Sequence, residues 1–362
     1  MTSPPGPPTT DSAMYLTMHR QPADLRRLLG GGWAPAQEAA GLVAPANRVF
    51  IVGVGTSYHA ALVGEWLFRA VGKDARAVLS FDFAVYSGLY PLRADDAVIV
   101  MAHSGTKTYT MRALERANAD GATAMSVGSL TAEHPGSRLV LRTVEREKSA
   151  AFTSSHGAAM FVLAQVATTL AERGRMAVAG EFRRALDDLP AQVEAVLARQ
   201  EEVLGVSREA ASSQVYAVGA GPNAATALEV VIKAREAATA KIDALPLEQF
   251  LHGPLVTVNA GDLAILINVR GANPTSVTRM SEVARVLERI GARIWLVGQG
   301  APTVSGATVF DLPELNELIS PILAVVPMQI FAYQVAVERG TNPDRFRRDD
   351  PRYADALSTI TL

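Results

Sequence analysis

The sequence predicts an α/β protein of two tandem domains, each a parallel sheet covered by helices on both faces, the two related by internal duplication. The first observation is a repeat. Val49-Phe-Ile-Val-Gly-Val-Gly55 returns as Val215-Tyr-Ala-Val-Gly-Ala-Gly221, 166 positions later, and Asp96-Ala-Val-Ile-Val-Met-Ala-His-Ser-Gly105 returns as Asp262-Leu-Ala-Ile-Leu-Ile-Asn-Val-Arg-Gly271 at the same offset. The stretch from Gly121-Ala122 to Val127-Gly128 is echoed from Gly291-Ala292 to Val297-Gly298, four residues later in relative register. Matched stretches in one order imply a duplicated domain. The second observation is that each half alternates short β-branched runs with longer helical patterns, the signature of a parallel sheet flanked by helices. The third is length: 362 residues at roughly 150 per domain make two, each able to bury its own core.

Taken in order, residues 1–34 are an N-terminal leader and the start of the first helix. Met1 to Ala13 is rich in Pro, Thr and Ser without an apolar run, which reads as a short disordered leader and not a signal peptide. The first domain, 35–180, carries strands near 48–54, 76–80, 97–102, 123–127 and 138–143, and an apolar helix beginning near Gly157. Within 181–211, Phe182 to Ala211 shows apolar residues at helical spacing among many charges, a helical linker packed on both domains. The second domain, 212–340, carries strands near 214–219, 263–269, 293–297 and 307–310. The apolar stretch Ile319 to Ala336 is broken by Pro321, Pro327 and Gln329, which argues for a buried helix against a membrane span. Residues 341–362 form a C-terminal tail.

Composition excludes several classes. Hydrophobic content of 49% fits a globular protein, and a net charge of −2 with no basic run gives nucleic acid no groove to bind. The absence of cysteine removes disulfides, thiolate metal sites and thiol nucleophiles together. The expected compartment is the cytoplasm, with no membrane partner.

In open α/β sheets ligands collect at the carboxyl ends of strands, where helix N-termini suit anions. Three loops of the first half qualify: Gly55-Thr56-Ser57-Tyr58, His103-Ser104-Gly105-Thr106-Lys107-Thr108, and Phe152-Thr153-Ser154-Ser155. Each alone reads as an ordinary N-cap. Three at equivalent strand ends also describe a phosphate site, to which Lys107 adds a charge-assisted bond of roughly 1.5–3 kcal/mol. None is a Walker loop, and Gly53-x-Gly55 lacks the third glycine of a dinucleotide fingerprint. The second copy has Pro222-Asn223 where the first has Thr56-Ser57. It carries instead Glu229, Lys233 and Glu236 at i, i+4 and i+7 of a helix, hence on one face, as a solvated salt-bridge ladder or a polar site. His252 precedes Gly253-Pro254, which ends its segment sharply; a lone loop histidine is structural or functional.

From about Pro35 to Leu362 the chain resembles the paired sugar isomerase (SIS) domains that form the isomerase half of glucosamine-6-phosphate synthase (glutamine:fructose-6-phosphate aminotransferase). Relatives of that family include aminosugar-phosphate deaminases and fructosamine-phosphate deglycases. The residues carrying the resemblance are Gly-Thr-Ser-Tyr at 55–58, Ser104-Gly105, Ser154-Ser155, the Glu229/Lys233/Glu236 helix and His252-Gly253-Pro254. Ile319-Ser-Pro321 followed by Val326-Pro-Met-Gln-Ile-Phe-Ala-Tyr333 completes the set. The resemblance implies two flavodoxin-like αβα sandwiches. It puts Ser57, His103, Ser104, Lys107 and Ser154 at phosphate-binding positions, with Gly55, Thr56, Ser155 and Glu229 also at the substrate. It makes Glu236 the base, Lys233 a substrate-contacting amine and His252 the imidazole that opens the sugar ring, reaching into the neighbouring subunit's site and so implying a homodimer. The tail would lie near that site; no cofactor and no metal are implied.

Moving a carbonyl between C1 and C2 needs one base to carry a proton through an enediol or enamine, and ring opening needs a group that titrates near neutrality. The chain departs from the synthases in carrying no glutaminase domain, in Leu357 within Asp355-Ala356-Leu357-Ser358 where they have a tail lysine, and in Ala102 and Lys107 for a serine and a threonine. The expected activity is interconversion of a phosphorylated 2-amino or N-substituted sugar, such as glucosamine 6-phosphate, with its keto form and release of ammonia or an amine. The alternatives are a plain aldose–ketose isomerase, a fructosamine-phosphate deglycase, and a non-catalytic sugar-phosphate sensor.

Overall fold

A computed structural model describes residues 9–298 and 304–360. Most of the anticipated leader, residues 1–8, lies outside the described residues. The chain divides into two compact units. The first is built from Arg20–Glu147 and Ser154–Pro190; the second from Lys148–Thr153 and Ala191–Thr359 with the N-terminal segment ending at His19. Helix α1 (Ala13–Gly31) opens the chain, its second half belonging to the first unit with α2 (Trp33–Val43).

Runs such as Val-Phe-Ile-Val and Ala-Val-Ile-Val are apolar at every position, as strands buried on both faces require. They form β1 (Arg48–Gly53) and β3 (Ala97–Met101), which with β2 (Asp74–Leu79), β4 (Thr123–Gly128) and β5 (Val140–Arg142) make a parallel sheet of order β2-β1-β3-β4-β5. Side chains alternate across it. Phe50, Val52, Val98 and Val100 pack with Phe83 of α4 (Ser80–Val85) and with Ala113 and Leu114 of α5 (Thr108–Ala119). The opposite face meets α3 (Thr56–Ala70) and α2, and α6 (Ser154–Arg173) packs against both of these helices. There Gly64 permits a close approach: a Cβ on it would stand 2.8 Å from Leu163 and 2.9 Å from Ile51. At the sheet's amino end the Arg48 guanidinium donates to both oxygens of Asp96, at 2.8 and 2.6 Å, and the same carboxylate accepts the Arg93 N–H at 2.7 Å.

The second unit has β6 (Val215–Gly219), β7 (Ile242–Pro246), β8 (Leu263–Asn268), β9 (Arg293–Gly298) and β10 (Thr308–Phe310), all parallel, in the order β10-β9-β8-β6-β7. Counted from the second strand, this is the order of the first sheet. Helix α7 (Val178–Ala198) contains Pro190, where the division between units falls, and α8 (Leu204–Ala210) follows. One face of the second sheet, through Tyr216, Val218, Ala264 and Leu266, packs on Leu247 and Phe250 of α10 (Leu247–Leu251) and on Val283 and Leu287 of α11 (Pro274–Ile290). The other face meets α9 (Asn223–Ala238) and α12 (Pro321–Arg339); Trp295 of β9, fully buried, has its ring 5.4 Å from that of Phe331. Residues 321–333 of α12 are buried throughout, so the helix that is apolar and long enough to cross a membrane is a core element of this unit. The last element among the described residues is α13 (Pro351–Ser358).

The structure corrects two details. Strand β7 was not anticipated: Ile-Asp-Ala-Leu-Pro pairs with β6 alone, at a sheet edge, and its half-exposed pattern hides the apolar run that marks the central strands. Helix α6 begins at Ser154 and not near Gly157, so Ser154 and Ser155 belong to its first turn.

Candidate active site

In the first sheet the chain leaves β1 toward β2 on one side and β3 toward β4 on the other. The carboxyl ends of β1 and β3 therefore flank the topological switch point, where helix starts diverge and a crevice opens. The loop after β1 turns at Gly55, with φ +57°, and the space beyond it is open: no atom lies within 4 Å of a Cβ built there. Thr56 and Ser57 follow in the first turn of α3, half-buried. The loop after β3 turns at Gly105, with φ +68°. The Ser104 hydroxyl lies 2.9 Å from that of Thr106 and accepts the Thr106 N–H at 3.4 Å. Lys107 is exposed at the N-cap of α5 and contributes no side-chain cap there, so its ammonium faces solvent at a helix start.

His103 stands behind this loop, its Nε2 accepting the Glu147 N–H at 3.5 Å. Burial, and then the nearby Arg146 and Arg20, push its pKa down to about 4. At neutral pH it therefore offers hydrogen bonds and no charge. The third predicted loop is differently engaged. The Ser154 hydroxyl donates to Asp24 at 2.6 Å, and the Ser155 N–H donates to the Glu147 carboxylate at 2.6 Å. All four residues are buried. Arg20 in turn holds Asp24 at 2.8 Å. Asp24 and Glu147 were not singled out from the sequence, because each sits in a charged run that reads as a solvated face.

In the second unit, Ala-rich α9 presents Glu229, Lys233 and Glu236 on one face. It stops at Thr239 in the left-handed conformation, whose N–H returns to the Arg235 carbonyl at 3.1 Å while that of Ala240 reaches Ala234 at 3.2 Å. The face is not a solvated ladder. The Glu229 side chain is 0% exposed and Lys233 1%, whereas Glu236 retains 22%. The Lys233 ammonium donates to Glu236 Oε2 and lies 3.6 Å from Glu229 Oε1. One cation thus orients two carboxylates, of which Glu236 alone reaches accessible space. At the head of α9, the Asn223 side chain donates to the Ser320 hydroxyl at 2.8 Å and accepts from Thr226 at 3.0 Å.

His252 is not brought to this cluster. It terminates α10, in the layer packed on the opposite face of the sheet from α9, and Gly253 at φ +123° turns the chain away. Its side chain is 76% exposed, with Nε2 3.6 Å from Glu248, which itself pairs with Arg279 at 2.6 Å. A core histidine this is not; the imidazole is presented outward.

Residues 42–169 match the SIS domain family. Over 348 residues, 92% of this chain and 56% of the relative, the sequence is 29% identical to the isomerizing glutamine–fructose-6-phosphate aminotransferase of Pyrobaculum aerophilum. The chain thus spans little more than half the length of the curated relatives it matches. Among solved structures, the C-terminal domain of the glucosamine-fructose-6-phosphate aminotransferase of Francisella tularensis superposes with a TM-score of 0.84 at 18% identity, covering 92% of this chain and 98% of that one. A glucosamine-6-phosphate deaminase of Thermotoga maritima gives 0.73 at 19% identity, covering 92% and 97%. The solved structures share the fold of this chain, and residues 42–169 are similar to the SIS domain.

Proposed function

We propose that the protein converts a phosphorylated 2-amino sugar to its keto form with release of ammonia, glucosamine 6-phosphate being the simplest substrate. The observation that carries this reading is the Glu229–Lys233–Glu236 cluster: a buried ammonium holding a carboxylate at the edge of accessible space is the arrangement a positioned base needs. Gly55, Thr56, Ser57, Ser104 and Lys107 take the phosphate, with neutral His103 and the Ser154/Ser155 turn supporting their loops. His252, exposed on the far side of its own sheet from Glu236, serves a second copy of the chain, which makes the working enzyme a homodimer. The common strand order of the two sheets supports the reading of one domain duplicated.

In this chemistry His252 moves a proton from the C1 hydroxyl to the ring oxygen, which frees the aldehyde. Glu236 removes the C2 proton, the double bond shifts between C1 and C2, and the proton is returned at C1, leaving an imine at C2. Water adds there and ammonia departs, giving fructose 6-phosphate. Each positioned proton carrier contributes about 10²–10⁴ in rate. Lys233 keeps Glu236 aimed, and Glu229 balances the ammonium. The test is ammonia and fructose 6-phosphate formation from glucosamine 6-phosphate. Equal amounts of both, lost in Glu236→Gln at unchanged melting temperature, are expected. No product, or equal rates in wild type and variant, sinks the proposal.

A further inference from the structure

Beneath the loop that follows β3 lies an imidazole to which the proposed chemistry gives no part. The loop turns tightly, the Gly105 N–H donating to the Ala102 carbonyl at 3.1 Å, with Ser104 inside the turn and Lys107 just beyond it. His134, 7% exposed, fills the space between this turn and the end of β4. A Cβ on Gly105 would stand 3.0 Å from its Cδ2, and one on Gly128 2.5 Å from its Cε1. Two glycines, one in the loop and one ending β4, thus make room for a single ring. Hydroxyls hold that ring in place. Ser137 donates to the Leu139 carbonyl at 2.7 Å; with its one proton so used, it accepts from Ser126 at 2.9 Å, and Ser126 in turn accepts from His134 Nδ1 at 2.5 Å. The neutral ring therefore carries its proton on Nδ1. Its Nε2, which has no hydrogen-bond partner, is the atom that lies against both glycines, 2.8 Å from a Cβ built on Gly128 and 3.2 Å from one on Gly105. Arg142 fixes the segment leading to His134, donating to the carbonyls of Ser129 at 2.9 Å and Ala132 at 2.5 Å. Burial lowers the His134 pKa, the Ala102 carbonyl partly opposing and Arg142 adding to the effect, so the ring is neutral at pH 7.

We propose that His134 is a positioning residue for phosphosugar binding: its ring, locked by Ser126, sets the height of the turn from Ala102 to Gly105 and hence where Ser104 and Lys107 meet the phosphate. A binding group works only when the residues behind it are themselves fixed by packing and hydrogen bonds. His134 is fixed by both. It acts through the loop and not on the substrate, and a ring that only filled space would cost stability when removed but leave affinity alone.

The inference rests on the phosphate reading of the first crevice, and the experiment separates the two. Inorganic phosphate and glucosamine 6-phosphate are titrated calorimetrically into the full chain and into His134→Ala, Gly128→Ala, Gly128→Ala/His134→Ala and Ser57→Ala/Ser104→Ala, with the melting temperature of each recorded. His134→Ala is expected to weaken both ligands about tenfold, the loss of roughly one charge-assisted bond. Gly128→Ala, whose methyl displaces the ring, should weaken them as well. Combining the two should add no further loss, because the methyl then enters space the ring has left. Gly128→Ala also keeps the test open if His134→Ala does not fold. Unchanged affinity in both single variants at lowered melting temperature overturns the inference, as do losses that add in the double variant. Wild type that binds no phosphate, or binds it indifferently to Ser57→Ala/Ser104→Ala, overturns the first-crevice reading instead.

Discussion

Lys233 decides how the second unit's cluster behaves, because its ammonium is the partner both carboxylates share. Lys233→Met leaves Glu229 buried beside an alkyl chain, and the loss of one member of a buried ion pair costs about 3–5 kcal/mol. The double variant Glu229→Gln/Lys233→Met removes both buried charges and is expected to cost less than the single one. Chemical denaturation of the two checks this, and a double variant no more stable than Lys233→Met contradicts it. His103 gives a pH signature. Its folded pKa of about 4 lies below the ordinary imidazole value, so the unfolded chain binds more protons between the two. Stability is therefore complete above about pH 6.5 and falls as pH drops toward 4, by on the order of 3 kcal/mol from this group. The melting temperature of His103→Gln should decline less over that interval than that of wild type; parallel declines contradict the assignment. Spacing along the sequence placed Glu229, Lys233 and Glu236 on one face, but spacing is blind to what covers a face. Only the packing of α12 against α9 shows that the ladder is buried. His252 is the converse, since local sequence left it open and its exposure removes the core reading.

Elements built from continuous apolar runs were legible: β1, β3, β6 and β8 lie within a residue of their expected bounds, because a strand buried on both faces needs no partner pattern to be recognised. Edge strand β7 was not, since Asp243 and Pro246 are tolerated where one side of the strand faces no neighbour. The amino end of the first sheet depends on one side chain. Asp96 accepts two guanidinium bonds from Arg48 and the Arg93 N–H while its own side chain is fully buried. Asp96→Ala strands those donors and should lower stability by about 3–5 kcal/mol. Arg76→Ala, whose pairing with Asp74 is half exposed, should change it by less than about 1 kcal/mol. Comparable losses in the two would show that the buried pair has no special weight. The start of α6 could not be fixed from sequence, because Ser154 and Ser155 serve equally as loop residues and as a first turn; the long-range bonds to Asp24 and Glu147 decide it.

At the scale of the whole chain, the repeated stretches were visible in the sequence and the two sheets share one strand order, yet the two units carry different side chains. Hydroxyls and a lysine stand at the strand ends of the first unit, and the buried ammonium lies on α9 of the second. The proposed enzyme chemistry uses both sets, whereas a simple sensor requires an anion crevice without a base. Fold-level likeness cannot separate the two; proton movement can. The measurement is nuclear magnetic resonance of fructose 6-phosphate incubated with the protein in deuterated water, following loss of the C1 hydrogen signal. Exchange with wild type, slowed by about 10² or more in Glu236→Gln at equal melting temperature, is the result predicted. Phosphosugar binding without exchange, or exchange at equal rates in both proteins, would contradict the assignment of Glu236 as the base.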